Sequence, residues 1–257
     1  MILTHEFEEA RHLYTSQGRY VLSTSDIIDL VGLSNMDQIP IATLRYASYR
    51  GKCLHTAIER YEQGQEWQDE FPTEFIDYLD GWFAFREAHS IQIVGKQEMA
   101  YVYLHDGTEQ AVGATIDFRF LYQGDLYIGD LKSIHPLSGK ALMQKKLCWR
   151  LQGESYKTAT EMDEGFIKPL EFKTIRRAVV HIHPKIKGGF TFHKFDGDDS
   201  LLWDGAVRMA MEKVACGIVP NRRNVDLNQQ LRASLEADMG ITNDDLPEWA
   251  REMQGAQ

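Results

Sequence analysis

Residues 111–132 read Ala-Val-Gly-Ala-Thr-Ile-Asp-Phe-Arg-Phe-Leu-Tyr-Gln-Gly-Asp-Leu-Tyr-Ile-Gly-Asp-Leu-Lys, and this stretch decides the fold. It holds two runs rich in β-branched and aromatic residues, which favour strands. Between them stands Gln123-Gly124, a dipeptide typical of a two-residue hairpin loop. The stretch therefore predicts two antiparallel strands in which Asp117 lies opposite Asp130.

This register gathers three charged side chains on one face of the hairpin. Directly opposed side chains have Cβ atoms about 4.5–5.5 Å apart, and Lys132, two residues beyond Asp130, projects from the same face. Two opposed carboxylates inside apolar strands repel each other and need a partner. A hard divalent cation would remove that penalty, because Mg²⁺ favours one or two carboxylates together with substrate phosphate. Lys132 beside such a cation could position or deprotonate an attacking water.

The upstream residues 91–104 alternate in the same way and add a strand before this hairpin. The turn signal Asp106-Gly107 follows them. If these two residues form the loop, Glu98 lies opposite Thr115 and shares the face of Asp117. We therefore expect a three-strand antiparallel meander, with one face holding Glu98, Asp117, Asp130 and Lys132.

Helical spacing of apolar residues predicts helices on both sides of the meander. The predicted helices are one that starts after the capping residues 23–26, and others over residues 46–61, 74–88, 138–161 and 198–216. Two further strands are predicted over residues 174–184 and 190–195. This order of elements predicts an α/β domain with a mixed sheet.

Length and composition indicate one domain of ordinary globular type. The 257 residues, 43% of them hydrophobic, are enough for a single large domain. We expect a helical N-terminal part over residues 1–90, a core over residues 91–216 and a helical C-terminal tail over residues 217–257. No apolar stretch approaches the roughly 20 residues of a membrane-spanning helix, and the acidic N-terminus lacks a signal-peptide pattern, so we expect a cytoplasmic protein.

Cysteine content and charge narrow the function. Three scattered cysteines argue against disulfides and against an iron–sulfur cluster, which usually needs four thiolates. A net charge of −10 is not typical of a nucleic-acid-binding protein. Basic residues nevertheless cluster, either as local tracks for phosphate or as ordinary solvated faces. The clusters are Lys140, Lys145, Lys146 and Arg150, then Lys173, Arg176 and Arg177, then Lys185 and Lys187, and last Arg222 and Arg223.

Some side chains invite other interpretations. His181 and His183 share a predicted strand face, and with His193 nearby a zinc site is conceivable, although no further ligand pattern accompanies them. Trp82 and its aromatic neighbours are predicted to be core and not a base-stacking platform. Cys148 is predicted to be structural.

Five marks follow one another along the chain in a definite order. They are Gly51-x-x-x-His55 in a predicted helix, Glu98, Asp117, Asp130-Leu131-Lys132, and Gln152-x-x-x-Tyr156 in the helix after the lysine. This order resembles the PD-(D/E)XK nuclease superfamily, and more narrowly its RecB-like exonuclease branch. There are two departures. Ile116 precedes the first aspartate where Pro is common, and Ala114 stands where Gly is frequent.

The resemblance implies a restriction-endonuclease-like mixed sheet flanked by helices, and a role for each mark. The implied catalytic residues are Glu98, Asp117, Asp130 and Lys132; the implied metal ligands are His55, Asp117, Asp130 and the carbonyl of Leu131; the implied DNA contacts are Gln152 and Tyr156. An imidazole ligand favours Mn²⁺ more than an all-oxygen site does. We expect one or two Mg²⁺ or Mn²⁺ ions, no iron–sulfur cluster and, without a Gly-x-x-x-x-Gly-Lys-Ser/Thr motif, no ATP.

The expected function is metal-dependent hydrolysis of DNA, as an exonuclease, because the RecB-like branch mostly trims ends. Recombination, repair or phage DNA processing in a bacterial or phage-infected cell would be its setting. A single-strand-annealing or other recombination protein is then a candidate partner. The alternatives are a nuclease-inactive DNA- or protein-binding module of the same fold, an endonuclease, and an RNA-directed phosphoesterase. The sequence decides neither polarity nor oligomeric state.

Overall fold

The computed structural model describes residues 5–8, 13–34, 39–69, 71–95, 97–102, 111–134, 137–183, 186–218 and 220. The strands in these ranges are β1 (His5–Glu8), β2 (Leu13–Ser16), β3 (Arg19–Val21), β4 (Gln92–Gly95), β5 (Glu98–Val102), β6 (Val112–Ile116), β7 (Phe118–Tyr122), β8 (Asp125–Lys132), β9 (Ile175–Ile182) and β10 (Phe190–Phe195). The helices are α1 (Thr24–Leu30), α2 (Ile41–Glu62), α3 (Ile76–His89), α4 (Gly139–Met162), α5 (Glu164–Ile167) and α6 (Ser200–Ala215).

A five-stranded mixed sheet in the order β10-β9-β8-β7-β4 lies at the centre. β8 and β9 run parallel, whereas the other neighbours are antiparallel. Parallel neighbours need a crossover connection, and α4 and α5 provide it between β8 and β9. The predicted α/β fold, a mixed sheet flanked by helices, is confirmed.

Apolar layers cover both faces of this sheet. Leu126 and Ile128 of β8 pack in the layer that contains residues of α1, α4 and α6. Tyr127 and Leu131 pack on the other face, in the layer that contains residues of α2 and α3. Since β8 is buried on both faces, as the strands of parallel pairs usually are, the aspartate within it, Asp130, is buried as well.

The predicted meander is divided between two sheets. β4 pairs with β7 in the central sheet, whereas β5 and β6 form a separate two-stranded sheet. The chain thus leaves the central sheet after β4 and re-enters it with β7. The meander prediction is correct about which strands pair with each other. It is wrong in treating β4 and β5, and likewise β6 and β7, as single continuous strands.

A β-bulge changes the register of the upstream strand. Before the bulge the pairing follows the predicted register, and between Ile93 and Gly95 one extra residue enters the upstream chain. Glu98 therefore lies opposite Ile116 and not opposite Thr115. The predicted register is wrong by one residue here, and such a slip reverses the facing of every side chain that follows.

The N-terminal part, predicted to be helical, contains a three-stranded sheet, β1-β2-β3. Gln17 and Gly18, both with positive φ, form the two-residue turn between β2 and β3. This is the same Gln-Gly signal that marks the β7–β8 hairpin. Tyr14 in β2 packs on Gly113 of β6, where a Cβ would lie 2.1 Å from the ring. The small sheet is thereby held against the β5–β6 pair.

The other predicted elements are confirmed apart from their ends. α1 begins at a capping box in which the side chains of Ser23 and Asp26 each bond the other's backbone N–H. The division into parts remains a prediction, and the Asp106-Gly107 loop and almost all of the tail over residues 217–257 lie outside the described residues. Within those residues, no helix is both long and apolar enough to span a bilayer.

Candidate active site

Asp117 stands at the break between β6 and β7. The β7–β8 ladder keeps the predicted register as far as Phe118 opposite Gly129. Gly129 is required there, because a Cβ would lie 2.3 Å from the Phe118 ring. One step further, Oδ2 of Asp117 accepts a hydrogen bond of 2.9 Å from the backbone N–H of Leu131. The break therefore turns the carboxylate of Asp117 across the end of the ladder, onto β8.

Lys132 forms an ion pair with Asp130. Its Nζ lies 2.7 Å from Oδ2 of Asp130, a contact that lacks the alignment of a hydrogen bond. Burial by itself would lower the pKa of Lys132, but the charges of Asp130 and Asp117 outweigh it and raise that pKa. Lys132 is therefore an ammonium group at neutral pH.

Both carboxylates of the pair are hard to ionise. Burial raises the pKa of Asp130 to about 7. The charge of Lys132 acts to lower this pKa, whereas the neighbouring charge of Asp117 acts to raise it. Burial also raises the pKa of Asp117, against the influence of Lys132 and of the Leu131 N–H. When both acids are ionised, the single ammonium group leaves the cluster with an excess of negative charge, which a cation would relieve.

His55 reaches this pair from α2. Its Nε2 lies 3.7 Å from Oδ2 of Asp117. Burial lowers the pKa of His55 to about 4, so the contact is one between a neutral imidazole and a carboxylate and not a charged pair. A neutral imidazole keeps a lone pair for a metal.

Gln152 and Tyr156 approach from α4, on the opposite face of the sheet. Nε2 of Gln152 donates a hydrogen bond of 2.7 Å to Oη of Tyr156. Burial, together with the charges of Asp130 and Asp117, raises the pKa of Tyr156 far above its ordinary value. The phenol thus stays protonated within the field of both carboxylates. The predicted DNA contacts of Gln152 and Tyr156 remain predictions.

Glu98 does not join the carboxylate pair. It is half exposed and forms an ion pair with Nη1 of Arg119, which is buried. Arg119 also donates to Oγ1 of Thr160 at 3.1 Å and lies 4.3 Å above the ring of Phe166. Glu98 thereby ties β5 to β7, α4 and α5. The prediction that Glu98 shares the face of Asp117 is wrong, because the β-bulge shifts the register of β5 by one residue. The catalytic role of Glu98 remains a prediction.

Arg50, which the sequence analysis missed, fastens α2 to the end of β8. Its Nη2 donates a hydrogen bond of 2.7 Å to the carbonyl oxygen of Ser133, the residue after Lys132. Its guanidinium lies 5.0 Å above the ring of Tyr78. The only sign of Arg50 in the sequence was that it directly precedes Gly51, which lies about one helical turn before His55. Through this contact α2 brings His55 to Asp117.

The donor set suits a hard divalent cation. Two buried carboxylates and a backbone carbonyl are oxygen ligands of the kind that Mg²⁺ and Mn²⁺ accept, and a neutral imidazole completes the set. The described residues contain no preformed group of three His, Cys, Asp or Glu side chains converging on one point. Here the Lys132 ammonium engages Asp130 and the Leu131 N–H engages Asp117.

An open pocket adjoins the carboxylate pair. It lies between α2, α3 and the sheet and encloses about 570 Å³, including solvent at its mouth. Its walls are mainly apolar. The lining residues are His55, Ile58, Glu59, Glu62, Gln63, Trp82, Ile93, Gln97, Asp117, Phe118 and Leu131. Asp117 and Leu131 thus belong both to the carboxylate site and to this pocket.

Three arginines from two of the predicted basic clusters are engaged in ion pairs. Arg176 pairs with Asp125 and Asp196, both at 2.6 Å. Arg177 is buried against Glu154 and Asp199, at 2.8 and 2.6 Å. Arg150 also pairs with Asp199. These arginines stabilise the fold, so a phosphate track is not supported at their positions.

The three histidines do lie together, as the sequence suggested. The ring centroid of His181 lies 4.6 Å from that of His183 and 6.0 Å from that of His193. Nε2 of His181 lies 2.9 Å from the carbonyl oxygen of Ile134, and Nε2 of His183 lies 2.7 Å from Oγ1 of Thr191. Two of the rings are thus already engaged, and within the described residues no metal-binding group of three is formed.

Comparison with known proteins identifies no family. No family model matches the chain, and no curated protein matches it. Among solved structures, a provisionally described exonuclease of Eubacterium rectale is similar over 90% of this chain and 87% of its own, with 13% identity and a TM-score of 0.48. A second solved structure, whose description names no activity, is similar over 88% and 87%, with 12% identity and a TM-score of 0.38.

Proposed function

We propose that this protein is a nuclease that hydrolyses phosphodiester bonds of DNA with Mg²⁺ or Mn²⁺ held at Asp117 and Asp130. One observation carries the proposal: two buried carboxylates with raised pKa values share a single ammonium group, that of Lys132. Titratable groups whose pKa values are shifted by burial and by one another cluster at catalytic sites. The order of motifs from Gly51 to Tyr156 supports the same function.

Each residue of the site has a chemical part in this proposal. Asp117, Asp130 and the carbonyl of Leu131 would hold the cation, with His55 as a further ligand. When bound, the cation supplies positive charge at the phosphate and lowers the pKa of water. Lys132 donates hydrogen bonds to the attacking water or to a phosphate oxygen and stabilises the charge that develops there.

Tyr156 is suited to act as a donor. Its Oη accepts a hydrogen bond from Gln152, which leaves its own proton free to be donated. Its raised pKa keeps that proton in place at neutral pH. A phosphate oxygen between α4 and β8 would be an acceptor for it, and Gln152 would orient the phenol.

Exonuclease action is proposed ahead of endonuclease action on the resemblance to the RecB-like branch. The same resemblance supports a role in recombination, repair or phage DNA processing, with a recombination protein as a candidate partner, in a bacterial cytoplasm. Neither ATP nor an iron–sulfur cluster enters the proposed reaction.

The test compares wild-type protein, Lys132→Ala, and Lys168→Ala as a control at an exposed lysine that pairs with Glu164. Each is incubated with end-labelled linear DNA, closed circular DNA and RNA, in EDTA, Mg²⁺ or Mn²⁺. We expect metal-dependent loss of linear DNA, reduced by about 100-fold or more in Lys132→Ala and unchanged in Lys168→Ala.

Other results would redirect the proposal. Cleavage of closed circles would indicate an endonuclease at the same site, and preferential loss of RNA would indicate an RNA-directed phosphoesterase. DNA binding without cleavage in any metal would favour the binding module. Cleavage that survives Lys132→Ala would place the catalytic centre elsewhere.

A further inference from the structure

The pocket beside Asp117 opens directly onto the place where a phosphate would be bound. His55, Asp117 and Leu131 form one of its walls. A phosphate bound to a cation at Asp117 would therefore place its nucleoside at the mouth of the pocket. Nothing in the proposed chemistry of Asp117, Asp130 and Lys132 requires such a space.

The walls of this pocket suit a flat apolar ring. Ile58, Ile93 and Phe118 line it, and Trp82 lies at its inner end. Small-molecule sites typically have mainly apolar walls and a few polar groups that set the orientation of the ligand. A nucleobase has two apolar faces and a polar edge, which matches such walls.

The polar groups of the pocket are divided between its inner end and its mouth. Glu62, inside, accepts a hydrogen bond of 3.1 Å from Nε1 of Trp82 and pairs with Nε of Arg86 at 2.9 Å. Its charge is thereby balanced and does not repel a phosphate nearby. Gln63 and Gln97 are exposed lining residues whose amides would meet the polar edge of a base. Nε2 of Gln63 also donates a hydrogen bond of 3.0 Å to Oε1 of Glu59, a further lining residue.

The inner end of the pocket is closed. Trp82 is fully buried and belongs to the core between α2, α3 and the sheet. A strand that entered could not continue beyond it. The pocket can therefore accept one nucleotide at the end of a strand and not the interior of a strand.

We propose that this pocket receives the nucleobase of the terminal nucleotide, so that the protein shortens DNA by one nucleotide at a time. The inference rests on the proposed nuclease function, from which it derives the phosphate position. To that function the inference adds the part of the substrate that is bound, which is the end of a strand, and the size of the product, which is one nucleotide.

Binding tests the pocket without requiring cleavage. Calorimetry of the full chain with Mn²⁺ compares deoxyadenosine 5′-monophosphate with 2-deoxyribose 5-phosphate, which lacks the base. We expect the nucleotide to bind at least about tenfold more tightly, because only the base buries apolar surface in the pocket. Equal affinity for the two compounds would overturn the proposal.

Matched variants locate the binding. Gln63→Trp narrows the mouth, whereas Gln65→Trp places the same side chain two residues further along, outside the lining residues. We expect Gln63→Trp to remove the tenfold preference and Gln65→Trp to keep it. Ile93→Trp, with Ile93→Val as its control, repeats the test from the strand side. If the preference for the nucleotide over the sugar phosphate survives in both Gln63→Trp and Ile93→Trp, the proposal is contradicted.

Product length separates this inference from the proposed function. If linear DNA is cleaved, we expect mononucleotides from the first turnover, and slower removal of a terminal nucleotide that lacks its base. Cleavage to oligonucleotides alone would overturn the pocket proposal and leave the nuclease intact. If no DNA is cleaved, the nuclease proposal fails, and the calorimetric preference by itself decides whether the pocket binds a base.

Discussion

Among the residues that the structure describes, the cluster of buried charge around Arg177 and the one at Asp117 and Asp130 differ in how well their charges are matched. Around Arg177, the carboxylates of Glu154 and Asp199 meet the cations of Arg177, Arg150 and Lys157 at 3.1 Å or less. Burial would raise the pKa of Asp199, but the hydrogen bonds from Arg150 and Arg177 outweigh it and hold that pKa below its usual range. This cluster is balanced within the chain.

The cluster at Asp117 and Asp130 is not balanced. Lys132 is the one ammonium group paired with it among the described residues, and His55 is neutral. Burial raises the pKa of Asp130 to about 7, the opposite direction from Asp199. The two shifts point in opposite directions because Asp199 accepts hydrogen bonds from two arginines, whereas the desolvation of Asp130 outweighs its single lysine partner. A balanced cluster stabilises a fold, whereas an unbalanced one leaves charge for a ligand to neutralise.

Removing Arg177 should have the largest effect on stability. Arg177→Ala leaves two buried carboxylates short of a cation, and we expect it to lower the free energy of unfolding by about 3–5 kcal/mol. Arg176→Ala, its neighbour in β9, removes solvent-exposed ion pairs with Asp125 and Asp196 and should lower the free energy of unfolding far less. Urea denaturation measures both. Equal losses would mean that burial of the charges does not matter.

A divalent cation should stabilise the unbalanced cluster. If Mn²⁺ binds at Asp117 and Asp130, a concentration 100 times its dissociation constant adds about 2.7 kcal/mol to the free energy of unfolding. Thermal melting in Mn²⁺ and in EDTA measures the difference. Asp130→Asn should lose it, and Asp196→Asn, at an exposed ion pair, should keep it. An unchanged melting temperature in wild-type protein would argue against a metal site.

Neutralising Asp130 should stabilise the metal-free protein while abolishing cleavage. Because the folded-state pKa of Asp130, about 7, lies above the ordinary value of 3.8, the wild type loses stability as pH rises from about 4 through 7. Asp130→Asn avoids that loss, so we expect a gain on the order of a few kcal/mol at pH 8 and less than half of that gain at pH 5.

Asp125→Asn is the matched control in the same strand. Asp125 accepts hydrogen bonds from Arg176 and Thr174, which hold its pKa below its usual range although burial works against them. This substitution should destabilise the protein at pH 8. Unfolding measured in EDTA at both pH values gives the comparison, and a loss of stability in both variants would contradict it.

The β7–β8 hairpin shows what local sequence can predict. Gln123-Gly124 sets a two-residue loop, and the period of two along a strand then decides which side chains share a face. The register of β7 against β8, as far as Phe118 opposite Gly129, followed from those two facts, whereas Asp117 lies just beyond the end of the ladder. The N-terminal hairpin carried the same signal at Gln17-Gly18, and there it was overlooked.

The upstream strand shows where that reasoning fails. No local signal marked the bulge between Ile93 and Gly95, because a bulge depends on how the strand packs against its neighbours. Extending an ideal ladder across it placed Glu98 one residue out of register. The break between β6 and β7 at Asp117 was not predicted, for the same reason.

The sequence alone predicted the order of strands and helices apart from the N-terminal sheet, together with the β7–β8 register and the adjacency of Asp117, Asp130 and Lys132. These follow from turn residues and from short periodicities, which act over neighbouring residues. Only the tertiary structure decided that His55 reaches Asp117, that Glu98 pairs with Arg119, and that Arg177 is balanced while Asp130 is not. Those outcomes depend on burial and on contacts between residues far apart in the chain, which no local pattern encodes.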